Sequence, residues 1–172
     1  LVEAVRAIKD AAGDDYPVLV KMNSSDFRPD GMTIADLVAI AQVICANGVS
    51  AIEPSGGGLG ANYTARGPVD KKLWQEGYFV DYAARIKGAV EAPVLAVGGF
   101  RSIHQAEKVI KEEKADLISM SRPLIREPDL IKRWMEGDTR PSQCISCDGC
   151  LARYRNLKPI CCVQLEKLHQ DL

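Results

Sequence analysis

Five of the six cysteines lie in one short segment, residues 143–163, and they carry the most specific chemistry in the chain. Cys144, Cys147 and Cys150 are spaced three residues apart, and Cys161 and Cys162 follow after ten and eleven intervening residues. Thiols clustered this closely are typical of a metal or cluster cage, because the cysteines of a disulfide framework are more evenly dispersed. The segment therefore predicts a centre held by four thiolates.

Two kinds of centre are compatible with four thiolates: a tetrahedral zinc ion and an iron–sulfur cluster. A zinc ribbon pairs one C-x₂-C with a second, distant C-x₂-C. In this chain three cysteines lie within seven residues, and the fourth ligand comes from a cysteine further along the chain. This arrangement resembles a 4Fe–4S cage. Zinc remains the alternative, and the spacing leaves the fourth ligand open between Cys161 and Cys162.

Two predicted strands end in residues that can bind a phosphate group. Gly98 and Gly99 stand between a strand and a helix, where glycine lets a backbone N–H approach a phosphate and the helix N-terminus adds positive potential. Ser121 and Arg122 follow the next strand, and an arginine can hold a phosphate through two parallel hydrogen bonds. A plain tight turn and a solvated arginine are the structural alternatives.

Lys21 is a charged residue inside an otherwise apolar predicted strand. A charge in such a place needs a partner or a ligand, so it predicts either a structural ion pair or a contact with a bound group. The glycine-rich run 55–58 follows the next strand, and it favours either close approach of the backbone to a planar ligand or a hinge.

The elements that must position these residues alternate along the chain. Amphipathic patterns predict helices over residues 1–12, 33–47, 78–91, 102–114 and 128–136, and short apolar runs predict strands over 16–22, 49–53, 93–97 and 116–120. Strict alternation of this kind is typical of parallel βαβ units. Four units fit half of a (β/α)₈ barrel or an open doubly wound sheet. In a barrel the phosphate site usually follows the last two strands, which predicts strands 5–8 and a missing N-terminal half.

Composition narrows the class of protein. The chain of 172 residues is 47% hydrophobic, which is ample for a core, and its net charge of −1 argues against a nucleic-acid or membrane-surface binder. Its apolar runs are shorter than the roughly 18 residues that a membrane span needs. Clustered reduced thiols predict a cytoplasmic protein.

Several segments resemble the C-terminal half of the old yellow enzyme family, the NADH:flavin oxidoreductases, and within it the 2,4-dienoyl-CoA reductase and trimethylamine dehydrogenase branch. The segments are VLVKMNSSDF (18–27), IEPSGGG (52–58), PVLAVGGFRS (93–102) and, most specifically, DLISMSRPLIREPDLIKRWMEGD (116–138) leading into CISCDGC (144–150). The resemblance covers nearly the whole chain. It implies an α/β fold, the C-terminal half (strands 5–8) of a (β/α)₈ TIM barrel with a cysteine-rich extension.

The resemblance also assigns roles to residues. It implies an FMN site at the C-terminal ends of the strands, with Lys21 near flavin N1 and the C2 carbonyl, where a cation stabilises the anionic reduced flavin. Gly98, Gly99 and Phe100 match the family's first phosphate loop, and Ser121 and Arg122 match the second. The usual proton donor belongs to the part of the family upstream of these segments, so no catalytic acid is assigned here.

The same resemblance bears on the cysteines. Cys144, Cys147 and Cys150 match the 4Fe–4S ligands of the cluster-bearing relatives. The family's fourth ligand precedes a pair similar to Val163-Gln164, which favours Cys162 over Cys161. The expected organisation is a half-barrel that binds FMN over residues 1–140 and an iron–sulfur tail over residues 141–172.

The expected activity is an FMN-dependent, ene-reductase-like oxidoreduction. NAD(P)H reduces FMN, and a hydride passes to an activated alkene such as an α,β-unsaturated carbonyl or an enoyl thioester. Partners are then a small unsaturated molecule, the N-terminal half of the barrel and, in some assemblies, a second copy of the chain. Two alternatives are a non-redox phosphate-binding barrel with a structural zinc site and a zinc-stabilised half-barrel that serves as an interaction module.

Overall fold

Four parallel strands form the central sheet of the computed structural model, which describes residues 1–58 and 60–170, and side chains as far as residue 168. Strand β1 (Leu19–Asn23) pairs with β2 (Ala51–Ser55), and β5 (Leu95–Val97) pairs with β6 (Leu117–Ser119). A parallel bridge between Ile52 and Val94 joins the two pairs, so the strand order is β1-β2-β5-β6. Among the described residues the sheet is open and does not close into a barrel.

The helices follow the strands in the predicted alternation. They are α1 (Val2–Ala12), α2 (Ile34–Cys45), α3 (Val80–Lys87), α4 (Ile103–Lys111), α5 (Arg122–Arg126), α6 (Leu130–Met135), α7 (Gly149–Arg155) and α8 (Val163–Gln170). Thr33 and Asp36 form a capping box at the start of α2, in which each side chain accepts a hydrogen bond from the other residue's backbone N–H. None of the helices in the described part of the chain is both long and apolar enough to cross a membrane.

Six short elements of the described chain were missed by the sequence patterns. Residues 55–77, where the patterns predict neither a helix nor a strand, contain a short hairpin of β3 (Tyr63–Thr64) and β4 (Gly67–Pro68) and a 3₁₀ turn. Helices α5, α7 and α8, which have five, seven and eight residues, were not predicted. The remaining elements begin or end within a few residues of the predicted bounds.

The chain divides into two compact units. The first, residues 1–99 with 107–119, contains the sheet and a core of fully buried side chains that includes Leu37, Ile44, Ile52, Phe79 and Ile86. Full burial of each such side chain contributes about 1.5–3 kcal/mol. The second, residues 100–106 with 120–172, is built around Phe100, Leu130 and Trp134 and contains the cysteine-rich segment. The predicted domain boundary near residue 140 stays a prediction.

Candidate functional site

A cavity in the second unit is lined by four of the six cysteines. About 340 Å³ of empty space, part of it open to solvent, is bounded by Cys144, Cys147, Cys150 and Cys162, together with Arg122, Ile125, Gln143, Ile145, Ser146, Asp148, Val163 and Gln164. The described lining includes Cys162 and does not include Cys161. All four predicted metal ligands therefore face one space.

Local backbone geometry explains how these cysteines reach the cavity. Ser146 and Asp148, on either side of Cys147, have positive φ angles of 55° and 60°, which turn the chain sharply at this point. Cys150 lies in the first turn of α7 and is buried. Cys162 stands immediately before α8, and its carbonyl accepts hydrogen bonds from the first turn of that helix. Cys147 thus lies in a tight loop, whereas Cys150 and Cys162 lie at the starts of two helices.

Close packing of α7 on α8 fixes the distance between the two halves of the cysteine set. A Cβ atom added at Gly149 would lie 2.3 Å from a methyl group of Val163, so only glycine allows the observed approach. Gly149 is the neighbour of Cys150 and Val163 is the neighbour of Cys162. The contact therefore holds Cys150 and Cys162 on the same cavity.

Hydrogen bonds fasten the start of the cysteine segment to the rest of the second unit. The Glu127 carboxylate accepts from Ser142 Oγ at 2.7 Å, from the Gln143 backbone N–H at 2.6 Å and from Arg133 Nη2 at 2.9 Å. Burial raises the pKa of Glu127, but these hydrogen bonds outweigh it and hold the pKa below its usual value. Arg101 Nη1 donates to the carbonyl of Cys144 at 3.2 Å.

Two side chains donate N–H groups toward cysteine sulfur. Gln164 Nε2 lies 3.8 Å from Cys147 Sγ, and Arg126 Nη1 lies 3.9 Å from Cys162 Sγ. Cys161 has a different environment, because burial and a hydrogen bond with Glu166 raise the pKa of its thiol. Glu166 in turn pairs with Arg153 at 2.6 Å. Among residues 1–58 and 60–170, no three His, Cys, Asp or Glu side chains come close enough to hold a single metal ion.

Arg122 is largely shielded from solvent, with 12% of its side chain exposed. It lines the cysteine cavity and donates from Nη1 to Asp148 Oδ1 at 2.5 Å. The alternative of a solvated arginine therefore does not apply to this position, and the predicted phosphate contact stays a prediction. Ser121 is exposed and directly precedes α5.

Gly98 and Gly99 directly follow strand β5 in the first unit. Their φ angles are 144° and 70°, and a Cβ at Gly98 would lie 2.9 Å from the backbone nitrogen of Tyr78. A Cβ at Gly99 would meet the ring of Tyr78 at 2.8 Å. Close packing alone thus requires glycine at both positions. Phe100, in the second unit, is 1% exposed.

Lys21 lies opposite Glu53 in the register of β1 and β2, and the two side chains form an ion pair. Half of the Lys21 side chain is exposed, and partial burial lowers the pKa of its ammonium group. Two pairs further along the strands, at their carboxyl ends, Ser55 is 3% exposed. Its Oγ atom has no hydrogen-bond partner among the described residues. This edge of the sheet thus carries a cation and an unsatisfied buried hydroxyl.

The glycine run after β2 packs against its own loop. A Cβ at Gly57, whose φ is 79°, would lie 2.1 Å from the Tyr63 carbonyl oxygen, and one at Gly56 would lie 2.8 Å from the rings of Phe27 and Phe79. Phe27 also stacks on Tyr63 with ring centres 4.4 Å apart. These contacts explain the glycines without a ligand.

Sequence patterns missed four residues that shape the cysteine cavity: Arg126, Glu127, Asp148 and Gln164. Nothing in the spacing identified their partners, which lie far along the chain.

Residues 1–140 match the model of the NADH:flavin oxidoreductase / NADH oxidase family. The chain belongs to this family. The predicted membership is therefore confirmed, and the match spans both phosphate-loop candidates and Lys21. The members of this family in the old yellow enzyme group are TIM barrels, and the open α/β sheet corresponds to the second half of such a barrel, as predicted.

Two curated members of the NADH:flavin oxidoreductase family illustrate the similarity. A metal reductase of Desulforamulus reducens and an NADH oxidase of Thermoanaerobacter brockii are each 33% identical to this chain over 166 residues, 94% of its length. These matches extend beyond residue 140 into the cysteine-rich segment. The chain spans about a quarter of the length of these relatives (24% and 25%).

A solved structure gives the same result. A 2-naphthoyl-CoA reductase in complex with 2-naphthoyl-CoA superposes with a TM-score of 0.79 and 26% identity, over 92% of this chain and 24% of that chain. The similarity again extends past residue 140.

Proposed function

We propose that the protein is an FMN-dependent oxidoreductase that takes electrons from NAD(P)H and reduces an activated alkene, such as an α,β-unsaturated carbonyl or an enoyl thioester. The observation that carries the proposal is the family match over residues 1–140, which contains every flavin-contact candidate in the chain. The names of the relatives, reductases and an NADH oxidase, point to the same class. They lend no support to a non-redox phosphate-binding barrel.

Bound FMN would supply hydride transfer, and the residues of this chain would bind and tune it. Lys21 supports this because its ammonium group stands near the carboxyl end of β1, where a cation favours negative charge on a bound ring system. The buried, unsatisfied Ser55 hydroxyl near the same edge fits a polar ligand atom, since native proteins seldom leave such a group unpaired. In this proposal Gly98, Gly99 and Phe100 belong to a phosphate loop.

For Arg122 we propose contact with the FMN phosphate, with Ser121 beside it. A guanidinium group has five N–H donors, and its Nη1 forms the ion pair with Asp148. The shielded position supports the role, because a charge-assisted hydrogen bond is stronger away from water.

Arg122→Ala in the full-length protein is expected to weaken FMN binding far more than riboflavin binding. The two ligands differ in the phosphate, and a charge-assisted contact contributes about 1.5–3 kcal/mol, roughly ten- to a hundredfold in Kd. Fluorescence quenching titrations with both ligands measure the difference.

Two control variants sharpen this test. Arg140→Ala removes an arginine whose side chain is 80% exposed, and Asp148→Asn removes the ion-pair partner while it keeps Arg122. Both are expected to retain the preference for FMN over riboflavin. Equal losses for the two ligands in Arg122→Ala would show that the arginine does not meet the phosphate.

Lys21→Met is expected to lower the reduction potential of bound FMN and to leave the ratio of FMN to riboflavin affinity unchanged. The reason is the loss of a cation that stabilises the anionic reduced flavin. Glu53→Gln is the matched control, because it removes the same ion pair and keeps the cation. A spectroelectrochemical titration measures the potential. If the reduction potential of FMN were the same in wild type and Lys21→Met, Lys21 would have only a structural role in its ion pair with Glu53.

We also propose a 4Fe–4S cluster bound by Cys144, Cys147, Cys150 and Cys162. The support is that these four cysteines line one cavity, since such a cluster is held by four thiolates. Two N–H donors approach their sulfurs, and hydrogen bonds of this kind tune the reduction potential of a cluster. Its chemistry would be the relay of single electrons. A zinc ion on the same thiolates is the competing proposal.

The expected partners follow from the half-barrel. Leu19 on β1 and Leu117 on β6, the outermost strands of the described sheet, are 59% and 50% exposed. Exposed apolar residues on edge strands support the proposal that further strands of an N-terminal half pair with them. The cytoplasmic setting inferred from the thiols and a possible homo-oligomer stay predictions.

A further inference from the structure

A buried arginine lies next to the residues that line the cysteine cavity, and it has no charged partner among the described side chains. Arg126, the last residue of α5, is 8% exposed. Its Nη2 donates to Gln143 Oε1 at 2.9 Å and its Nη1 approaches Cys162 Sγ at 3.9 Å. Its Nε is buried and has no hydrogen-bond partner among the described residues.

This environment leaves the arginine's charge uncompensated. In the described part of the chain no carboxylate lies within ion-pair distance of Arg126, and the adjacent Glu127 is bonded to Arg133, Ser142 and the backbone of Gln143. An amide oxygen and a thiol are neutral, and burial of an unpaired charge costs several kcal/mol. Arg122 differs, because Asp148 balances its charge.

We propose that Arg126 is the counter-charge of the cluster at Cys144, Cys147, Cys150 and Cys162, and that it raises the reduction potential of that cluster through an N–H···S hydrogen bond to Cys162. The inference rests on the proposed cluster. Four thiolates bring negative charge to the cavity, and a fixed cation next to one of them favours the more negative, reduced state. Arg126 is a positioning residue that acts through the Cys162 sulfur.

The test compares variants of the full-length protein purified without oxygen. Arg126→Gln removes the charge and retains hydrogen-bonding capacity, Arg126→Lys retains the charge, and Arg140→Gln removes an exposed arginine from the same unit. Iron, sulfide and zinc are measured per chain. The cluster is then titrated against dithionite and followed by electron paramagnetic resonance, which reports the potential independently of turnover.

Arg126→Gln is expected to lower the ratio of reduced to oxidised cluster at a fixed ambient potential about tenfold, which for a one-electron couple is 59 mV. Arg126→Lys is expected to stay much closer to wild type, and Arg140→Gln to match it. If Arg126→Gln keeps its iron and has the wild-type reduction potential, the proposed role of Arg126 is refuted. The proposed cluster is not affected by that result.

A second measurement covers the case in which Arg126→Gln does not retain iron. Protein grown with ¹⁵N-arginine is reduced, and the hyperfine coupling of arginine nitrogen to the cluster is recorded. We expect a coupling in wild type that is weaker in Arg126→Lys, in which Arg122 is the labelled arginine of the described lining. The same coupling in both proteins, or none in wild type, would overturn the role of Arg126. A wild-type protein that contains zinc and no sulfide would instead overturn the proposed cluster and this inference with it.

Discussion

Serine at any one of Cys144, Cys147, Cys150 or Cys162 is expected to abolish the bound iron and sulfide, which we expect at about four of each per wild-type chain. Each of these thiols faces the same cavity, so the loss of one removes a corner ligand that no other thiol of the lining can replace. Iron, acid-labile sulfide and zinc analysis of anaerobically purified full-length protein measures the result. The brown absorption of the cluster should disappear in the same variants.

Two cysteines serve as controls for this prediction. Cys161→Ser is expected to keep the cluster, because Cys161 lies outside the cavity lining and interacts with Glu166. Cys45→Ser, in α2 of the other unit, is expected to keep it as well. If Cys161→Ser lost the iron and sulfide and Cys162→Ser kept them, the cluster proposal would hold, but its fourth ligand would be Cys161. One zinc per chain without sulfide would refute the redox role of the segment.

Gly57→Ala is expected to destabilise the loop after β2 and to lower the free energy of unfolding more than Gly13→Ala does. The new Cβ would lie 2.1 Å from the Tyr63 carbonyl oxygen and 2.6 Å from the Cα of Thr64, and both of these atoms belong to the backbone. Positive φ costs an alanine about 1–2 kcal/mol, and overpacking adds about 1–3 kcal/mol. Chemical denaturation gives the free energy of unfolding, and limited proteolysis reports the loop itself.

Gly13→Ala separates these two contributions. Gly13 has a similar φ of 98°, but a Cβ there would meet no heavy atom within 4 Å. It should therefore lose only the backbone strain of its own conformation (φ 98°, ψ 155°), about 1–3 kcal/mol, and show no new proteolytic cleavage in the loop after β2. If the two variants lost equal stability, the contact between Gly57 and the Tyr63 backbone would not be the reason for glycine at this position.

Local patterns determined the elements that have a clear period or cap. The four strands and the helices between them were predictable, because a buried parallel strand is a short apolar run and an amphipathic helix repeats every 3.6 residues. The capping box of Thr33 and Asp36 was readable for the same reason, since both partners lie within one turn. Spacing alone also marked three cysteines as one group.

Only the tertiary structure decided what depends on contacts between distant parts of the chain. Cys161 and Cys162 are adjacent in sequence, yet the start of α8 directs Cys162 to the cavity while Cys161 interacts with Glu166. Arg122 became shielded because Asp148, 26 residues away, pairs with it. Arg126 gave no signal either, since burial of a long cationic side chain depends on packing that no local pattern encodes. Local residue types therefore determined which segments form strands and helices and which cysteines group together. Long-range packing determined how the strands pair and where each charged side chain lies around the cysteines.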